Sequence, residues 1–257
     1  MGRRMDNFKL VALAFFGGLI VMGTSCAARD MDLVGWWKLD EGQGGVATDS
    51  SGFSNHGALK NGPTWVPGRI GGALHFANTD ETKIYVDIPN SPTLENVQEA
   101  DYTVAAWVKP DRLPPGTANT PAYGIVVKQG HHIGLVYDQD GLFKMQHHLR
   151  DVNNTYMLVK SAPKVPSVWY HVVGVVSRTD GFVKIYVNGV LEAAESFPPG
   201  AAAREFEAVT WKLGIAGPEY GKYREGMDGI IDDARIYSRA LSDAEVAALA
   251  KPYAPTP

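Results

Sequence analysis

The chain contains a single cysteine in 257 residues. No disulfide can form within it, and a zinc site built from several cysteines is excluded. It also lacks a basic excess. Lys and Arg number 24 against 28 Asp and Glu, for a formal net charge of -4. The clustered positive face that a nucleic-acid partner requires is therefore missing. No apolar run is long enough for a membrane-spanning helix. The stretch Leu10–Met22 carries no charge but runs only 13 residues, where a bilayer needs about 20. Internal repeats and low-complexity linkers are missing too. What remains is an ordinary globular balance, 45% hydrophobic and 20% charged, which excludes a disordered or fibrous chain.

Residues 1–28 read as a leader and residues 29–257 as a single domain. Arg3, Arg4 and Lys9 precede the apolar run, and Gly23-Thr24-Ser25-Cys26-Ala27-Ala28 follows it. A basic start, a short apolar core and small residues mark a secretory signal. The small stretch resembles a bacterial lipoprotein box, which implies lipidation of Cys26. Gly23 departs from that pattern, which prefers leucine there. The alternative is ordinary cleavage near Ala27 or Ala28. Both readings place the mature protein outside the cytoplasm, secreted or held on the cell envelope, with membrane contact only through a lipid anchor.

The domain reads as strands almost throughout. Fourteen short apolar stretches, from Leu33–Asp40 to Gly229–Ser238, alternate with turn clusters, the spacing of a sandwich or barrel. In Val183-Lys184-Ile185-Tyr186-Val187 the three aliphatics share one face. Asn188-Gly189 then predicts a tight hairpin, because both central residues need positive φ. Trp169–Val176 is apolar on both faces and predicts a central strand. One helix is expected, Ser242–Ala250, opened by a Ser242/Glu245 capping box and stopped by Pro252. It is too short to stand alone and must dock. The expected class is all-β, a two-sheet antiparallel sandwich with one short C-terminal helix.

Several pieces carry a family resemblance. They are Gly35-Trp36-Trp37-Lys38-Leu39-Asp40-Glu41-Gly42, Asp49-Ser50-Ser51-Gly52 with Asn55-His56-Gly57, Gly71-Gly72-Ala73-Leu74-His75-Phe76 and Tyr102–Pro110. Trp169-Tyr170-His171-Val172, Lys184–Gly189 and the closing Gly229–Ser242 complete the set. In this order, over roughly residues 33–250, they resemble laminin-G-like jelly-roll domains of the concanavalin A-like lectin/glucanase superfamily. The resemblance implies a jelly roll. It is weak for function, because this fold serves lectins, enzyme accessory modules and adhesion domains alike.

Asp232 and Asp233 are the first candidates for chemistry. Strict alternation puts Asp232 on a face with Ile230, Ala234 and Ile236, and Asp233 with Ile231, Arg235 and Tyr237. A carboxylate among aliphatics is costly unless paired or metal-bound. The loop Asp49–Gly57 adds Asp49, Asn55 and the Gly57 carbonyl, hard oxygen donors that suit calcium. The resemblance points the same way, since related members hold a structural calcium between an early glycine-bearing loop and an aspartate of the last strand. The expected metal set is Asp49, Asn55, Gly57, Asp232 and Asp233. The alternative is Asp232 accepting backbone N–H bonds and Asp49 ordering an Asx turn.

Catalysis is not expected. Laminarinase-like relatives place acids as Glu-x-Asp-x-x-Glu on one strand. Neither Glu99-Ala100-Asp101 nor Glu225-Gly226-Met227-Asp228 continues to a third spaced acid. The doublets His131-His132 and His147-His148 flank a predicted hairpin, so His131 and His147 are candidate ligand contacts. Loop tyrosines, above all Tyr220 and Tyr223, with Tyr123 and Tyr156 behind them, are candidate stacking platforms. Trp107 and Trp169 read as core. The expected function is a non-catalytic binding module for carbohydrate or a cell-surface or matrix protein, with a structural calcium. The alternatives are a structural or adhesion envelope protein and, last, a glycan-cleaving enzyme.

Overall fold

The computed structural model describes residues 30–79, 82–115, 122–128, 133–150, 155–204, 209–215 and 226–251. Two antiparallel sheets face each other. The first runs, in spatial order, β14 (Val190–Ser196), β13 (Phe182–Val187), β12 (Tyr170–Ser177), β7 (Tyr102–Pro110), β16 (Asp228–Tyr237), β5 (Gly72–Ala77) and β4 (Thr64–Pro67). β1 (Leu33–Trp37) also pairs with β16. The second sheet runs β11 (Tyr156–Lys160), β10 (Phe143–His148), β9 (Ile133–Asp138), β8 (Ala122–Lys128), β15 (Trp211–Leu213), β6 (Tyr85–Ile88), β3 (Gly57–Lys60) and β2 (Val46–Ala47). This is the expected sandwich, and the leader and Cys26 lie outside the described residues.

Alternation builds the core. Val183, Ile185 and Val187 point between the sheets, while Lys184 and Tyr186 point away. Phe143, Met145, Val104, Ala106 and Val108 close on them from other strands. Each fully buried Val, Ile, Leu or Phe stabilises the fold by about 1.5–3 kcal/mol. β12 lies inside its sheet, flanked by β13 and β7, as its two-sided apolar sequence requires. Asn188 and Gly189 turn at φ 52° and 80°, the left-handed pair that a tight hairpin needs.

A second, smaller apolar cluster lies on the outer face of the first sheet. The single described α-helix, α1 (Asp243–Leu249), lays Val246 over Ala105, Val173, Val175, Tyr186 and Tyr237. Its capping box is formed: the Ser242 hydroxyl accepts from the Glu245 amide at 3.4 Å, and the Glu245 carboxylate accepts from the Ser242 amide at 2.8 Å. Arg239 donates to both Glu245 oxygens, at 3.0 and 2.7 Å. These contacts hold the Glu245 carboxyl down at about 2, Arg239 first among them.

Candidate functional site

β16 departs from strict alternation at the two aspartates. Asp232 pairs with Trp107 and Arg235 with Ala105, so two residues of β16 oppose one of β7. This is a β-bulge, and Asp233 sits in it at φ 49°. The bulge resets the pattern. Ala234 and Ile236 enter the main core, whereas Asp232 does not share their face, as alternation alone had placed it. Asp232 and Asp233 instead line one pocket on the outer side of the first sheet, together with Trp36, Lys38, Asp40 and Ile70. Consecutive carboxylates thus come to the same side.

The two acids have different surroundings. Asp233 is paired: Arg235 donates to its two oxygens at 3.2 and 2.9 Å, and the Trp36 indole N–H donates at 2.5 Å. Asp232 is fully buried. Its Oδ2 accepts from the Ile70 amide at 2.8 Å, and its Oδ1 has no partner among the described residues. Burial, aided by the nearby Asp233 and Asp40 carboxylates, pushes its carboxyl up to about 7 against the backbone N–H groups of Ile70 and Arg69. Gly68 makes this cradle possible, because a Cβ there would stand 2.7 Å from Asp232 Oδ2. Across the pocket, Asp40 Oδ1 accepts from the Gly72 amide at 2.7 Å. The volume is about 170 Å³, enough for an ion with its waters but below the roughly 300 Å³ where small-molecule pockets begin.

The early loop does not join this pocket. Asp49 is saturated by its neighbours: Oδ1 accepts from the Trp36 and Ser51 amides, and Oδ2 from the Ser51 hydroxyl and the Asn55 amide, all within 2.9 Å. Asn55 donates to the Val34 carbonyl and the Thr93 hydroxyl, and its carbonyl accepts from the Trp37 indole. Gly57 opens β3, where a Cβ would meet Val86 at 2.4 Å. These residues fasten β1 to the loop. The oxygens of Asp49, Asp232 and Asp233 are not among the groups of metal-ligating side chains gathered within 4.8 Å in the described residues. Asp40, which lines the pocket with Asp232, is not among the expected ligands, although it stands in the Asp40-Glu41-Gly42 piece of the resemblance.

The outer face of the second sheet is built differently. Along β10, Phe143, Met145 and His147 point inward, so Lys144, Gln146 and His148 point outward. His147 meets the Tyr102 hydroxyl at 3.2 Å and is fully buried. Burial first, then the nearby His148 and Arg178, lowers it to about 4. It is thus a core residue, and His131, Tyr220 and Tyr223 lie outside the described residues. Tyr123 is buried as well.

Tyr156 behaves otherwise. It pairs across β10–β11 with His148 and stacks on its ring at 3.9 Å and 26°. Its side chain is 44% exposed. Beside this pair, Gln146 lies in register between Gly134 and Leu158, and its buried Oε1 has no partner among the described residues. Lys144 reaches Asp138 at 2.5 Å. The result is a flat, half-exposed ring backed by an imidazole, with Gln146 two residues along β10 and the Lys144–Asp138 ion pair about 13 Å along the strand.

Trp107 and His171 are buried, but on the outer face of the first sheet rather than in the main core. Their rings sit 5.2 Å apart on neighbouring strands, beneath Arg69. Trp169 is only half-buried. Among the acids, Asp101 is taken up by the β12–β13 turn, accepting from the Ser177 hydroxyl and the Thr179 amide.

Comparison with curated proteins finds none that matches in sequence. Solved structures do match in fold. The binding domain of Paraclostridial Mosquitocidal Protein 1 aligns with a TM-score of 0.66 at 16% identity, over 85% of this chain and 52% of that one. Trypanosoma rangeli sialidase in complex with the inhibitor DANA aligns at 0.60 and 17%, over 85% and 32%. Domain 4 of AbnA, an extracellular arabinanase from Geobacillus stearothermophilus in complex with arabinotriose, aligns at 0.56 and 21%, over 86% and 98%. The chain thus spans about half the length of the first and a third of the second. The laminin-G family model of the concanavalin A-like lectin/glucanases superfamily matches residues 80–247, the stretch from before β6 through most of α1. With that match over two sheets in jelly-roll arrangement, the chain belongs to the concanavalin A-like lectin/glucanases superfamily.

Proposed function

We propose that this protein is a carbohydrate-binding module that acts without turnover, outside the cytoplasm, through the outer face of its second sheet. The observation that carries the reading is the exposed Tyr156 ring held flat on His148. A rigid ring offers its face to the C–H surface of a pyranose. The half-buried Gln146 side chain lies two residues along β10 on the same face, where its amide can meet a sugar hydroxyl. The arabinotriose complex of a domain with this fold supports the reading.

We propose further that calcium is held between Asp232 and Asp40. The residues fit such an ion: a buried carboxylate oxygen lacks a partner, a second carboxylate faces it, and the donors are hard oxygens. Bound there, calcium would compensate the buried charge and tie β16 to the segments around Asp40 and Gly68. Export rests on the leader, and anchoring on Cys26. Among the described residues, no helix is long and apolar enough to cross a membrane.

A glycan array probed with the purified protein, alongside an assay for newly released reducing ends, tests the function. Binding without release is expected. No glycan binding, with capture of an envelope or matrix protein instead, would favour the adhesion alternative. Release of reducing ends would make it an enzyme. For the anchor, Cys26→Ala is expected to move the protein from the membrane to the soluble fraction.

A further inference from the structure

Asp228, Ile230 and Asp232 share the outer face of β16, so Asp228 stands about 13 Å along the strand from the Asp232 pocket. Three strands bring polar groups together there. Asp228 pairs with Ala77 of β5, which places His75, two residues earlier, as its diagonal neighbour on the same face. Asp111 follows β7 directly, and its amide donates to the Asp228 carbonyl at 2.9 Å. His75 Nε2 lies 2.8 Å from Asp111 Oδ2. One ligand atom from each of His75, Asp111 and Asp228 lies within 4.8 Å of the other two. Three atoms so close fit inside a circle of radius at most about 2.8 Å. Small side-chain rotations would bring them to the roughly 2.0–2.2 Å of metal bonds.

We propose that His75, Asp111 and Asp228 form a binding site for a first-row transition metal, with zinc as its representative. The imidazole decides the class. Calcium takes oxygen ligands, whereas nitrogen with two carboxylates suits zinc and its neighbours. The scaffold is a sheet, so the backbone positions are fixed before the ion arrives. All three side chains remain reachable, at 27% exposure for His75, 39% for Asp111 and 18% for Asp228. Arg112, itself 56% exposed, now donates to Asp228 and is the group that the metal displaces. Three protein ligands leave at least one coordination position open to water or to an incoming oxygen.

Calorimetric titration of chelator-stripped protein with zinc chloride tests the site. The wild type is expected to bind zinc, and His75→Ala to weaken that binding at least tenfold. Asp40→Asn is expected to leave it unchanged. Cobalt(II) serves as a second probe: its visible d–d bands should change with the wild type and not with His75→Ala. Circular dichroism controls for folding, and Asp111→Asn provides an independent variant expected to weaken zinc similarly. Zinc affinity equal in wild type, His75→Ala and Asp111→Asn would overturn the proposal, as would the absence of zinc binding to the wild type.

Discussion

On the outer face of the first sheet, Asp232, Asp233 and Arg235 are each less than a tenth exposed. Asp233 and Arg235 meet in a buried ion pair, and Trp36 and backbone amides take up most of the remaining oxygens. On the outer face of the second sheet, Tyr156 is 44% exposed and Gln146 keeps an oxygen without a partner. The first arrangement has settled its charged groups largely within the protein, leaving one Asp232 carboxylate oxygen with room for an ion. The second holds a half-exposed ring open to the outside. Buried, mutually satisfied charge fastens strands. A rigid, half-exposed ring offers a face on which a ligand can stack.

Breaking the ion pair should have the largest effect on stability. Arg235→Ala strands the buried Asp233 carboxylate and should cost about 3–5 kcal/mol, read as a lowered denaturant midpoint. Tyr156→Ala should cost less than about 1 kcal/mol by the same measurement. If both variants melt alike, the contrast between the faces is lost.

Acid should act next. His147, lowered to about 4 by burial and by the nearby His148 and Arg178, binds its proton later than the unfolded chain does. The unfolded histidine protonates as pH falls through about 6.5, so stability contributed by neutral His147 is full above that value. It is lost as pH drops from about 6.5 to about 4, by on the order of 3 kcal/mol. His171, lowered to about 3 by burial and Arg235, extends the loss further into acid. Denaturant midpoints measured against pH should show a smaller loss between about pH 6.5 and 4 in His147→Leu than in the wild type, with His171 keeping its own share and the raised Asp232 carboxyl opposing the loss in both.

Removing calcium should lower stability by about 2–3 kcal/mol when the ion was present at a hundredfold excess over its Kd. Melting curves of chelator-stripped protein with and without added calcium chloride read this, and Asp40→Asn should erase the difference. A smaller effect than these belongs to the helix on the first sheet's outer face. Ser242→Ala removes the cap of α1 and should cost about 1 kcal/mol in Tm measurements, with no change in glycan binding.

The parts of this structure legible in the sequence are those set by near neighbours. Alternation in Val183–Val187, the Asn188-Gly189 turn and the Ser242/Glu245 cap each depend on a few consecutive residues, and all appear as expected. β4 went unread because Pro63 and Pro67 bracket it, and proline argues against a strand except at an edge, where β4 lies. The bulge at Asp233 was illegible for a different reason. Period-2 reading assumes that no residue is inserted, and one insertion reverses every later assignment. Asp40 and Asp232 are far apart in sequence, and only the pairing of β1 with β16 and of β16 with β5 brings them to one pocket. Asp49 looked equally able to hold a metal, but its own loop supplies four donors. Asn-to-Asp spacing says nothing about such local saturation.

The most direct test of the division between the faces is calorimetric titration of one array-identified glycan into the wild type, Tyr156→Ala and Asp40→Asn. The account predicts at least a tenfold loss of affinity for Tyr156→Ala and wild-type affinity for Asp40→Asn while that variant remains folded. Wild-type affinity in Tyr156→Ala, with loss in folded Asp40→Asn, would contradict it and move recognition to the first sheet.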